Sequence, residues 1–216
     1  MLILSLLIKK VHASKITTSG VGVREGLFLA DLLRSQQDVF PHNYNPSVTS
    51  LLDRFTDNKI DLTAVSKLFD LCQNRLKLNP KHKALFLVAL KLSHIGKELD
   101  FYEAHRHAYY LLLNGLNYGF SHQDTLLIAS LVRFQRRTRF STSHISKYEA
   151  YLPEQETLSA LSCLMHLSQV LYSDFTQKIE INEKNGVLEI EAKEKYLLQD
   201  KLKTLQESPL LKIKLL

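Results

Sequence analysis

The most concentrated chemistry in this sequence is a run of guanidinium groups. Between residues 125 and 148 the chain carries Arg133, Arg136, Arg137, Arg139 and Lys147, and no acidic side chain. The apolar pattern predicts a helix over residues 121–137. On it Arg133, Arg136 and Arg137 would share an arc of about 100°, with Leu127, Ile128, Leu131, Val132 and Phe134 on the other side. The planar fork of arginine suits bidentate phosphate binding better than lysine does. A row of such groups would also hold a linear polyanion through counterion release. The same residues read more simply as a solvated charged face. Few aromatics interleave the row, so it makes a poor stacking platform, and nucleic acid is not the expected partner.

A second group, His105, Arg106 and His107, lies upstream. Two residues apart on a helix, the imidazoles point roughly 200° from one another and cannot close on one ion unaided. A histidine packed on Tyr109 or Tyr110 is the bland account. The functional one is a hydrogen bond from His105 or His107 to a phosphate oxygen. Other chemistries lack their signatures. The sequence contains no GxSxG nucleophile turn and neither of the glycine-rich phosphate loops, GxGxxG and GxxxxGK[ST], among its 7 glycines. Arg24 and Glu25 form at most a charge pair at a helix start. Cys72 and Cys163 sit far apart in apolar patterns with no CxxC spacing, and read as buried thiols of a reducing compartment.

The elements that must position these groups are mostly helical. A chain of 216 residues, 45% hydrophobic and 23% charged, can bury a sizeable core. Its charge is uneven: net +3 over residues 1–80, +6 over 81–147 and −3 over 148–216. The middle third is the expected surface for an anionic partner. Residues 2–13 read as a short apolar helix, 15–19 (KITTS) as a strand, Gly20 and Gly22 as a turn, and 24–34 as a helix. Helices are then predicted over 47–57, 62–78, 81–95, 102–114, 121–137 and 153–173. Ser121 and Asp124 make a capping-box pattern at the fifth of these. Strands at 178–182 and 187–192 flank an Asn-Gly hairpin signal. A polar helix at 195–206 and a strand at 210–215 follow. The opening MLILSLLIKK puts its charges after its apolar run, the wrong order for a signal peptide. No apolar stretch suits a membrane span, so a soluble cytoplasmic protein without a membrane partner is expected.

Three segments together resemble the exopolyphosphatase and guanosine pentaphosphate phosphohydrolase (Ppx/GppA) family, in its C-terminal half. SGVGVREGLFLAD (19–31) resembles the run that closes the family's second actin-like ATPase domain. Residues 90–112 and 119–137, with SHIGK, HRHAYYLL, GFS and LVRFQRR, are similar to its helical domain, itself related to HD-domain phosphohydrolases. LPEQETLSALSCLMHLSQV (152–170) and the hairpin after it match the order of the C-terminal segment. The resemblance implies a mainly α fold with a small β part. It divides into the end of an actin-like α/β domain (1–40), an HD-like helical domain (41–150) and a C-terminal helix with an α/β segment (151–216).

The resemblance also implies a division of labour. The family's phosphate-gripping loops and water-activating acid lie in N-terminal actin-like domains, which this sequence lacks. No catalytic residue is therefore expected here, and no cofactor; the complete enzyme would use a divalent cation such as Mg2+. An active HD site places His-Asp where this chain has Ser93-His94, and relatives often carry a further His where Gln135 stands. Both exchanges remove good metal ligands, so no metal site is expected. The implied role is binding of polyphosphate or guanosine pentaphosphate by Lys97, His105, Arg106, His107, Arg133, Arg136, Arg137 and Arg139, in a homodimer. Two alternatives stand beside it: a non-catalytic helical module for a protein or nucleic-acid partner, and a metal-dependent HD phosphohydrolase.

Overall fold

The computed structural model describes residues 2–16, 22–37, 40, 44–55, 62–172, 179–184, 186–192, 195–206 and 210–216. The chain divides into two compact units, residues 1–44 and 45–216. The first contains helices α1 (Leu2–Lys10) and α2 (Val23–Leu33), with a single 3-10 turn, Arg34–Gln36, after α2. Most of their apolar side chains are exposed, including Ile3, Leu4, Val23 and Phe28. The strand expected at 15–19 lies largely outside the described residues, and Lys15 and Ile16 are irregular. Gly20 is likewise outside them, while Gly22 forms the N-cap of α2.

The second unit is mainly helical with a small sheet, as the sequence predicts. Its helices are α3 (Pro46–Phe55), α4 (Thr63–Gln73), α5 (Lys81–Lys91), α6 (Ala104–Gly115), α7 (His122–Arg133), α8 (Thr142–Lys147), α9 (Gln155–Tyr172) and α10 (Lys195–Gln206). Strands β1 (Ile179–Lys184) and β2 (Val187–Ala192) pair antiparallel, Ile181 opposite Ile190. Strand β3 (Ile213–Leu215) adds parallel to β2 after the α10 crossover. Gly186, at φ +74°, supplies the left-handed residue that the tight hairpin needs. One hydrophobic core runs from Val48 through Leu211. At its centre α9 buries ten residues along its length, and α7 is buried from Leu126 to Val132. Leu198, Leu202 and Leu205 of α10 join the same core, as do Ile181, Leu188 and Ile190 of the sheet.

Helix ends depart from the sequence expectation, and the reasons bear on the site. Helix α4 stops at Gln73 with a paired closure: Leu78 N–H donates to Gln73 O at 3.0 Å and Lys77 N–H to Asn74 O at 3.3 Å. This is a Schellman ending, with Lys77 in the left-handed position (φ +51°) where glycine usually signals the stop. Helix α7 begins on the expected cap, Asp124 N–H donating to Ser121 Oγ at 3.1 Å while Ser121 N–H donates to Asp124 Oδ2 at 3.0 Å. It ends at Arg133, four residues before the predicted end. Phe134 leaves helical geometry and stacks on Phe140, ring centroids 4.9 Å apart, so the chain folds back instead of continuing.

Candidate functional site

The early end of α7 rearranges the arginine row. Arg133, Arg136 and Arg137 do not share a helix face, because the last two lie in the turns after Arg133. Those turns are fixed from two sides. Gln135 Nε2 donates to Ser93 O at 3.3 Å, and Ser162 Oγ on α9 donates to Arg137 O at 2.9 Å. Arg136 thereby faces a cavity of about 300 Å³ that also receives Lys97 and His105.

Four parts of the fold build this cavity. The turns after α5 supply Ser93, His94 and Lys97; the segment entering α6 supplies Phe101, Tyr102 and His105. The turn after α7 adds Gln135 and Arg136. Helices α9 and α10 add His166, Gln169 and Lys201. Gly96 lets the first two parts meet: a Cβ there would lie 1.9 Å from Ala104 O and 2.7 Å from Ala108 N. Only a residue without a side chain permits that approach of turn to helix.

Among the described residues the lining holds three cationic side chains, three imidazoles and no carboxylate. Burial, then the nearby Lys97 and Arg136 charges, hold the His94 imidazole down at about 4. His105 is also lowered, first by burial and further by Arg106, Arg136 and Arg137, against an opposing pull from Glu103. Burial lowers His166. The histidines are therefore neutral at pH 7 and can each donate one N–H, beside fixed positive charge. A hard divalent cation such as Mg2+ needs oxygen donors, chiefly carboxylates. A lining of ammonium, guanidinium and imidazole groups does not fit one. Among the described residues no group of three His, Cys, Asp or Glu is placed to hold a metal ion.

The other candidate residues are dispersed. Arg133 lies over the Tyr109 ring, 4.7 Å from its centroid, and within 5.8 Å of the Phe134 centroid. Arg106 pairs with Glu103 at 2.7 Å. Arg139 borders a different, wider cavity of about 910 Å³ with Arg75 and Lys77, where Glu154 and Glu156 oppose their charge. His107 lies half-buried on α6. Arg137 reaches the first cavity only through its field on His105.

A family model for Ppx/GppA phosphatase, domain III, matches residues 47–216. The chain belongs to the Ppx/GppA phosphatase family. The domain III match takes in every residue lining the cavity, and begins after the first unit. A comparison with curated protein sequences found no match.

Within domain III the residues that sequence reasoning missed are informative. His166, Gln169 and Lys201 come from α9 and α10, tens of residues away from the basic run. Nothing local marks them; His166 stands in an apolar helical pattern as an ordinary core histidine would. His144 was also missed. It is buried and accepts or donates a 2.8 Å hydrogen bond with Ser130 Oγ, with Phe134, Phe140, Tyr109 and Tyr148 around its ring. Burial, then Arg133 and Lys147, lower it to about 4. His144 packs edge to face on Tyr109, ring centroids 5.9 Å apart. Cys72 and Cys163 are buried and free, and burial pushes the Cys72 thiol up to about 12, which makes it inert. No helix among the described residues is long and apolar enough to cross a membrane.

Proposed function

We propose that this Ppx/GppA domain III binds the anionic substrate, polyphosphate or guanosine pentaphosphate, and supports phosphoanhydride hydrolysis carried out on the family's actin-like domains. The observation that carries this reading is the cavity whose described lining has Lys97, Arg136 and Lys201 and no carboxylate. Such a lining suits phosphate oxygens: Arg136 offers a bidentate fork, Lys97 and Lys201 point charges, and the neutral imidazoles further N–H donors. Arg137, exposed beside it, extends the positive field onto His105, and Arg139, exposed on the neighbouring cavity, would add a more distant cation for a long polyanion. The reading places the domain in a cytoplasmic homodimer. It gives the chain no metal or cofactor of its own.

One observation favours the nucleotide of the two substrates. Phe101 and Tyr102 line the cavity, are 64% and 84% exposed, and meet edge to face with centroids 5.7 Å apart. An exposed aromatic pair beside cations gives a purine a stacking surface that bare polyphosphate does not use.

The test is binding of polyphosphate and of guanosine pentaphosphate against salt concentration. With three cations engaged, log K should fall with log salt at a slope of roughly −2, and each of K97A and R136A should reduce that slope by about 0.7. The double substitution Phe101→Ala, Tyr102→Ala should weaken the nucleotide alone. A slope near zero, or variants that bind as the parent does, would remove the reading.

A further inference from the structure

We infer that the cavity takes a phosphate-type oxyanion together with a proton, which His94 or His105 accepts as the anion enters. The inference rests on the anion-site reading above and adds its regulation by pH. It stands first on geometry. Among the described residues the charges acting on His94 are those of Lys97 and Arg136, and His105 faces Glu103 as well as arginines; an anion seated in the cavity would neutralise the cations and supply an acceptor for a second N–H.

Among the described residues the charged side chains that line the cavity are cations. From the turns after α5, Ser93 Oγ lies 3.3 Å from His94 Nδ1, and Lys97 follows. The turn after α7 presents Gln135 and Arg136, with Arg137 acting from further out. Helix α9 adds His166 and Gln169, and α10 adds Lys201. From the start of α6, Tyr102 lines the wall, and Arg106 acts on His105. Among the described residues Glu103 is the acid that acts on either ring. It faces His105, and Arg106 at 2.7 Å already engages it. Burial and these cations lower the proton affinity of both imidazoles. By linkage, an anion that raises an imidazole's proton affinity must bind more tightly as protons become available. The sign is fixed: affinity rises as pH falls, by up to about tenfold per pH unit for each proton taken up.

Tripolyphosphate binding to the full chain, measured calorimetrically at pH 5.5 in two buffers of different ionisation enthalpy, tests this. The expected result is about one proton taken up per anion beyond the uptake of His94→Gln or His105→Asn, at least one of which loses it. Histidine ring resonances of the unaltered chain provide a readout independent of variant folding. On addition of tripolyphosphate at pH 5.5, one or two should move toward their protonated positions. Equal proton uptake in parent and both variants, with no such resonance shift, overturns the inference and leaves anion binding intact. Absence of any tripolyphosphate binding overturns both readings together.

Discussion

Gly96→Ala should be among the most damaging single-methyl additions to this domain. The new Cβ would sit 1.9 Å from Ala104 O, 2.7 Å from Ala108 N and 2.9 Å from Ala104 C. All three are backbone atoms, so no side chain can swing aside. Restoring an ordinary contact to the carbonyl requires a separation more than ~1 Å larger. That displacement must be absorbed by the first turns of α6, whose Ala104 and Ala108 are themselves buried. Overpacking usually costs 1–3 kcal/mol, and a rigid backbone partner places this site at about 3 kcal/mol or above. For a domain of this size that is a fall in Tm of roughly 6–12 °C, or an equivalent loss in urea midpoint at constant m. Gly26→Ala is the control: nothing lies within 4 Å of its Cβ, and it sits inside α2, so it should be neutral or mildly stabilising. Ala108→Gly in the same chain as Gly96→Ala should not rescue, because the clashing atoms are main-chain. If Gly96→Ala melts within about 1 kcal/mol of the parent, the close approach does not position this turn. A rescue by Ala108→Gly would refute the backbone argument specifically.

Two further outcomes follow from buried or capped groups. His144 and His94 are both held at about 4 by burial first, below the ordinary 6.5 of an unfolded chain. The unfolded chain therefore binds more protons between those values. Stability present above pH 6.5 is lost as pH falls to 4, by up to about 3 kcal/mol for each histidine. Urea midpoints at pH 7 and 5 should differ accordingly, and His144→Phe should flatten the difference by about half; an unchanged pH dependence would clear His144 of the role. Asp124→Ala removes the acceptor for both Ser121 N–H at 3.0 Å and Ser121 Oγ–H at 2.7 Å, at the start of α7. It should cost about 1 kcal/mol in chemical denaturation, and a loss below the error of the measurement would mean that the box does not hold the helix start.

The fold class was legible because periodicity is a local property. Strand β2 and helix α10 fall where the sequence puts them, and the Ser121–Asp124 cap marks the start of α7 to the residue. Helix ends were not legible where tertiary contacts, and not glycine or proline, make them. Lys77 adopts a left-handed backbone that its side chain does not advertise. Arg133 is followed by five polar residues and two aromatics within seven positions, and only the Phe134–Phe140 stack reveals that the chain turns there. Helix α8, six residues long, is too short to show a period. At the site, Lys97, His105 and Arg136 could be chosen by type and charge. Their convergence with His166 and Lys201 could not, since it depends on how α9 and α10 pack.

Ser93, His94 and Gln135 show how one position in a fold can change the sign of its chemistry. Read against the HD-like pattern they resemble, they are losses: a histidine and a carboxylate gone from one turn, a second histidine gone from the next. The structure gives those same residues a different task. Gln135 bridges to Ser93 O and so fixes the turn that aims Arg136; His94 lies beside Ser93 Oγ and between two cations. Among the described residues this lining offers a metal ion no carboxylate, and the field of its arginine and lysines suits an anion. Restoring one carboxylate would reverse it. Gln135→Glu would place a negative charge among Lys97, Arg136 and Lys201, neutralising the very field that an oxyanion needs. If the anion-site reading holds, Gln135→Glu should weaken tripolyphosphate binding while Gln135→Ala leaves its salt dependence intact, and equal binding by the Glu variant and the parent would refute it.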